Sequence, residues 1–166
     1  VFLGVFRKEK LQEVGAYDET LHRAQDWELN YRLRRAGHLV YFTPDLRVVY
    51  HPRDSWRALA RQFFTTGQWR REVARRHPDT LSLRYLAPPL TVLGVGGGLL
   101  GGLLGLVLRS NVLTALLIAP AAYVAFIVAA TASVRSLSPA ARLRFPVVLA
   151  VMHLFWGAGF VRGLPQ

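Results

Sequence analysis

The sequence predicts an α+β chain that ends in membrane helices. Residues 1–54 form a mixed helix–strand segment, 55–84 an amphipathic helix and linker, and 85–166 three transmembrane helices. Three observations carry this. Charge is segregated, with all ten acids and sixteen of the 21 Lys and Arg in residues 1–84, and five Arg with no acid after them. Three long apolar runs follow one another in the second half. In the first half, glycine-stopped helical patterns alternate with short apolar runs bounded by turn residues.

In chain order, Val1–Phe6 reads as an apolar strand, without a Met at position 1 or a charged-then-apolar leader, so the chain reads as a C-terminal fragment. Roughly 80 water-facing residues is marginal for an independent α/β core, so that part is expected to lean on missing sequence. Arg7–Val14 is a short helix closed by Gly15, suited to a left-handed cap. Asp18 and Glu19 sit in the next loop. A second helix begins near Asp26 and stops at Gly37, with Leu29, Leu33 and Ala36 as its apolar stripe. Glu28 and Arg32 are four apart on it, in the order that favours a solvated salt bridge. His38–Thr43 and Leu46–His51 read as strands about a Pro44-Asp45 turn.

Ser55–Arg76 is an amphipathic helix capped by Ser55, with Trp56, Leu59, Phe63 and Trp69 apolar and Arg57, Arg61, Arg70, Arg71, Arg75 and Arg76 charged. Lying just before an apolar run, it fits the headgroup boundary, with Arg61, Trp69 and Arg70 as interface candidates.

The apolar runs 86–108, 112–134 and 145–161 meet the roughly 20 residues needed to cross a bilayer, the third at the short limit. Eight Arg lie between Arg53 and Arg84, one in the loop 109–111, three in 135–144 and one after Val161. Positive residues stay inside, so the water-facing part is expected in the cytoplasm and the C-terminus outside, in a multi-pass cell-membrane protein. Gly96, Gly98 and Gly101 mimic a dinucleotide fingerprint but lack its strand and its later acid. Gly97, Gly101 and Gly105 instead lie on one stripe suited to close helix packing, within the bundle or in a homo-oligomer. His153, inside the third run, is either a substrate-lipid contact or a hydrogen-bonding group toward a neighbouring helix.

Asp26 is the residue to single out. An acid at a helix start is either a cap or a reactive carboxylate. Asp26-Trp27-Glu28 is not a metal-binding D-x-D, because both acids sit on a helix start and not at a strand end.

Four blocks in order resemble the inverting family 2 glycosyltransferases of the membrane-bound, exopolysaccharide-building kind: Gly15-Ala16-Tyr17-Asp18-Glu19; Gln25-Asp26-Trp27-Glu28-Leu29-Asn30-Tyr31-Arg32; Gly37 to Pro44; and Val48 to His51. His153-Leu154-Phe155-Trp156-Gly157 and the residues to Phe160 resemble the last membrane run of the same subgroup. The resemblance implies that residues 1–54 are the C-terminal portion of a GT-A α/β domain. It implies Asp26 as general base, with Asp18, Glu19, Gln25, Glu28, Arg32 and His51 as acceptor- or donor-site candidates. It further implies a nucleotide-sugar donor and a glycan or polyprenyl-linked acceptor. Mg²⁺ or Mn²⁺ would be held by acids in the missing N-terminal part, with no metal ligand in this fragment, which alone would be inactive. The resembling enzymes carry an acid where this chain has Gln25, a position that shapes the acceptor site. Gln68-Trp69-Arg70 echoes their acceptor motif with altered spacing.

The basic residues adjoin a membrane run and no nucleic-acid-binding pattern is present, which excludes a nucleic-acid partner. Short loops and spans without acids argue against a transporter. The rival to an enzyme is a non-catalytic membrane scaffold that keeps a degenerate transferase remnant.

Overall fold

The computed structural model describes residues 4–45, 47–51 and 53–165. It divides into two compact units, Val1–Arg53 and Asp54–Gln166.

The first unit is built on two helices, α1 (Lys8–Glu13) and α2 (Gln25–Arg35). Both stop where a glycine permits a left-handed residue. After α1, Gly15 has φ 83°, its N–H donates to Gln12 O at 3.1 Å, and the Ala16 N–H reaches Leu11 O at 2.8 Å. After α2, Gly37 has φ 83°, with Gly37 N–H to Arg34 O at 3.0 Å and His38 N–H to Leu33 O at 3.0 Å. Both are Schellman closures, which satisfy carbonyls left over at a helix end. Leu21, Leu29 and Leu33 form the small core, while Ala36, expected on the buried stripe, is exposed.

The expected strands are not seen among the described residues. Residues 38–43 and 47–51 have no regular structure, and Val1, Phe2, Leu3 and Leu46, which the strand readings included, lie outside the described residues. The reason is physical: a strand's hydrogen bonds come from a partner, and an unpartnered pair of short strands is at best marginal in water. Leu39 is 98% and Phe42 86% exposed, so the apolar side chains of the first expected strand are largely uncovered.

The second unit is helical: α3 (Trp56–Arg76), α4 (Leu83–Val107), α5 (Asn111–Thr114), α6 (Ile118–Ser133) and α7 (Pro139–Arg162). Ser55 Oγ caps α3 by accepting from the Ala58 N–H at 3.3 Å. Near the other end of α3, Arg75 and Arg76 both bond Glu72 and hold its carboxyl down at about 2. Leu83–Val107, Asn111–Ser133 and Pro139–Arg162 are each long and apolar enough to cross a membrane.

Glycines set the packing. A Cβ on Gly98 would lie 2.7 Å from Leu116 O, on Gly102 2.4 Å from Leu117 Cγ, and on Gly105 2.3 Å from Thr114 N, so α4 pairs closely with the α5–α6 limb. Gly97, placed on the packing stripe from sequence, faces open space; the contact face is rotated to Gly98, Gly102 and Gly105, with Gly101 against Leu116. Arg109 closes α4 with φ 52°, a left-handed residue where glycine is usual.

α3 packs along α7 at backbone distance. A Cβ on Gly67 would fall 2.0 Å from Trp156 O, and one on Gly159 1.9 Å from Phe64 O. Backbone cannot swing aside as a side chain can. Gly159→Leu is therefore expected to force α3 off α7 and to lower stability by about 1–3 kcal/mol or more, read as a drop in Tm of the detergent-purified protein. Gly97→Leu, in open space, is the matched control.

Candidate functional site

The start of α2 concentrates the chemistry of the first unit. Ala24 is its N-cap and adopts a left-handed conformation, φ 62°, with no side-chain cap bond. Asp26, in the first turn, accepts from the Trp27 N–H through Oδ1 at 2.8 Å. It thereby serves one of the amide groups that a helix start leaves over. The cap and the reactive-carboxylate readings are thus compatible. Burial pushes the Asp26 carboxyl upward, and the Trp27 backbone N–H at the helix start pulls it down. The group is an ionised carboxylate at neutral pH.

Because a left-handed Ala is strained by roughly 1 kcal/mol or slightly more, Ala24→Gly is expected to stabilise the first unit by up to that amount. Denaturant unfolding with an unchanged m-value would register it as a higher midpoint.

Next to Asp26, Trp27 and Tyr31 stack with ring centroids 6.1 Å apart and planes 2° from parallel. Arg35 Nη1 donates to the Tyr31 hydroxyl at 2.8 Å. This ladder, half-buried at Trp27 and Tyr31 and exposed at Arg35, lies at positions i, i+4 and i+8; it was not picked out from sequence, although its spacing is the signal that would have found it.

Arg32 has a role that sequence misjudged. Its Nε and Nη2 each lie 2.8 Å from a Glu28 carboxylate oxygen. Nη2 also donates to Ala16 O at 2.6 Å, and Nη1 to Val14 O. Glu28 is only 3% exposed. The expected solvated pair is therefore a buried, bidentate clamp that binds the α1–α2 loop to α2. In this structure the Glu28 carboxylate and the Arg32 guanidinium hold the loop to α2. Asp18 likewise folds its own turn, with Oδ1 accepting from the Thr20 N–H at 2.9 Å and the Thr20 hydroxyl at 2.6 Å. Gln25 is half-buried as the first residue of α2, Glu19 is exposed, and His51 is exposed in an irregular segment.

In the second unit, Arg61 is exposed and Trp69 half-buried, as interface residues can be. Arg70 departs from expectation. It is only 6% exposed, its guanidinium stands 3.8 Å from the Tyr85 ring centroid, and Nη2 donates to Thr80 O at 2.7 Å. It joins α3 to the start of α4 and does not offer itself to headgroups. His153 Nδ1 lies 3.3 Å from the Tyr123 hydroxyl, so the helix-to-helix hydrogen bond is the reading the geometry carries. Among the described residues, no three His, Asp or Glu side chains gather as a metal site.

The chain is 32% identical over 160 residues to the succinoglycan biosynthesis protein ExoA of Rhizobium meliloti (strain 1021), covering 96% of this chain and 46% of that protein. It is 36% identical over 76 residues to a pre-mycofactocin glycosyltransferase of Mycobacterium tuberculosis (strains CDC 1551 / Oshkosh and ATCC 25618 / H37Rv), covering 45% of this chain and 16% of that protein. The chain thus spans less than half the length of these curated relatives. No family profile matches it, and no solved structure is similar to it.

Proposed function

We propose that this chain is part of a membrane-bound glycosyltransferase that moves a sugar from a nucleotide-sugar to a glycan or polyprenyl-linked acceptor. The reaction inverts the anomeric centre and serves bacterial exopolysaccharide or cell-envelope glycan synthesis. The observation that carries the reading is the continuous likeness to a succinoglycan biosynthesis protein. It runs over 96% of the chain, through both the water-facing unit and the apolar helices.

In this reading residues 1–54 belong to a GT-A-type domain, and the chemistry centres on Asp26. Its carboxylate takes the proton from an acceptor hydroxyl. That oxygen bonds to the anomeric carbon from the face opposite the diphosphate, whose bond to the sugar breaks as the nucleoside diphosphate leaves. The half-buried, ionised state of Asp26 supports the role. The Trp27–Tyr31 ladder beside it offers flat apolar faces that suit the C–H faces of a sugar ring. The uncovered apolar residues at 39–42 and 48–50 fit a segment that is one edge of a larger α/β domain.

Mg²⁺ or Mn²⁺, which such chemistry uses to neutralise a leaving diphosphate, is not fitted by the donors here. Asp18 is engaged in its turn and Glu28 in the Arg32 clamp. Such an ion would be held by other residues of the whole protein. In this reading the water-facing unit lies on the cytoplasmic side of the cell membrane, which the many Arg near the apolar helices favour.

The scaffold reading rests on a specific observation: several acids and bases expected at the site are consumed internally, and Gln25 replaces an acid. Radiolabelled transfer from a panel of nucleotide-sugars to membrane lipid extract, by the full-length protein in membranes, separates the two. Product in the lipid fraction supports the enzyme, and its absence across the panel supports the scaffold.

A further inference from the structure

The contacts among the three apolar helices differ from those of three successive crossings. α4 and the α5–α6 limb form an antiparallel hairpin, since Gly105 meets Thr114 while Gly98 meets Leu116 and Pro120. Following α6 from Pro120 to Ser133 covers about 20 Å, which returns it to the level at which α4 begins. That level is the near face; the Arg109–Asn111 loop marks the far face.

α7 starts at the near face. Arg142 Nη2 lies 3.3 Å from Val134 O and 3.4 Å from Arg135 O, just past the end of α6. It also finishes there. A Cβ on Gly157 would lie 2.2 Å from Pro88 O, so Gly157 sits beside the second turn of α4. From that contact α4 climbs about 28 Å to Val107, whereas at most about 9 Å of backbone separates Gly157 from Gly163. However α7 is tilted, its end falls about 19 Å or more short of the far end of α4.

Side chains of α3 fix that end. Gln68 Nε2 donates to Gly163 O at 2.7 Å, and Arg71 Nη1 donates to Phe160 O at 3.3 Å and to Val161 O. These are carbonyls that a helix terminus leaves over, and a cation there is favoured by the helix dipole.

We propose that α3 and α7 form a paired platform lying in the leaflet on the near face, its partner being that lipid leaflet, and that the chain returns to this face after α7. Only α4 and the α5–α6 limb cross. Leu143, Val147 and Phe155 are exposed on α7 and meet acyl chains, while Arg57 and Arg61 are exposed on α3 and meet anionic headgroups. The C-terminus therefore faces the side opposite to that expected from three alternating crossings. The placement is independent of the proposed sugar transfer.

The test uses reporters fused after Ser110 and after Gln166 of the full-length protein in a bacterial host. One reporter is a phosphatase active only when exported, the other a fluorescent protein that matures only in the cytoplasm. With α3 in the cytoplasm, the Ser110 chimera is expected to be phosphatase-active, and the Gln166 chimera fluorescent with phosphatase at background. Phosphatase activity at Gln166 would overturn the platform. A second measurement places single cysteines in residues 1–166, which have none of their own, with any other cysteine of the full-length protein replaced. Asn111→Cys should react with a membrane-impermeant maleimide in intact cells, and Pro165→Cys only after permeabilisation; labelling of both in intact cells would also overturn it.

Discussion

Asp26→Asn, introduced into the full-length protein in its membrane, is expected to lower sugar transfer by about 10²–10⁴-fold, the usual contribution of a general base. The substitution is chosen for what it keeps. Asn retains an oxygen that can accept the Trp27 amide at the start of α2, so the local fold should survive. What it loses is basicity: an amide cannot take a proton from an acceptor hydroxyl. The loss should fall on kcat with expression and Tm close to wild type, and Asp26→Glu should restore a fraction of the rate. As the base must be deprotonated, transfer should fall with pH once the Asp26 carboxylate takes up a proton. Transfer by Asp26→Asn equal to wild type would remove Asp26 from the chemistry.

Where backbone geometry allows few answers, the sequence was legible. Gly15 and Gly37 end α1 and α2 because a left-handed residue is needed there, and Ser55 caps α3 as its position suggests. The apolar runs coincide, to within a few residues, with helices long and apolar enough to cross a membrane, except that α7 begins at Pro139, ahead of its apolar stretch. Of the expected glycine stripe, Gly101 and Gly105 meet the neighbouring limb and Gly97 does not, because helical periodicity gives a stripe but not how far the partner's contact extends to either side of it. Arg109 closes a helix without glycine, so it left no signal. Local spacing also cannot report contacts made across the chain. Arg70 reads as one more surface arginine until Tyr85 and Thr80 are folded over it. The same limit turned three expected crossings into an argument about α7, whose end is set by residues some ninety positions earlier. At the candidate site, Asp26 was singled out by its motif, whereas the contacts of Arg32 were hidden, since the Val14 and Ala16 carbonyls lie one loop away.

That hidden clamp supports the largest stability effect expected in the first unit. Arg32→Leu deprives the buried Glu28 carboxylate of its bidentate partner and removes the donor that serves Val14 and Ala16. Breaking one side of a buried ion pair costs about 3–5 kcal/mol, against a total stability of roughly 5–15 kcal/mol for an ordinary domain. The segment from Gly15 to Asp26 should therefore open, and pulse proteolysis of the full-length protein should show new cleavage between α1 and α2. Arg32→Lys should also fail in large part, because one ammonium cannot reproduce a planar fork reaching two carboxylate oxygens and two carbonyls. Glu28→Leu combined with Arg32→Leu separates burial from pairing: with no charge left in the pocket, it should recover part of the loss, although the two loop carbonyls stay unserved. Asp26 begins the helix that this clamp holds, so Arg32→Leu should lower transfer as well. If proteolysis and Tm are unchanged in Arg32→Leu, the clamp contributes nothing measurable, and Arg32 returns to being a candidate for direct contact with substrate.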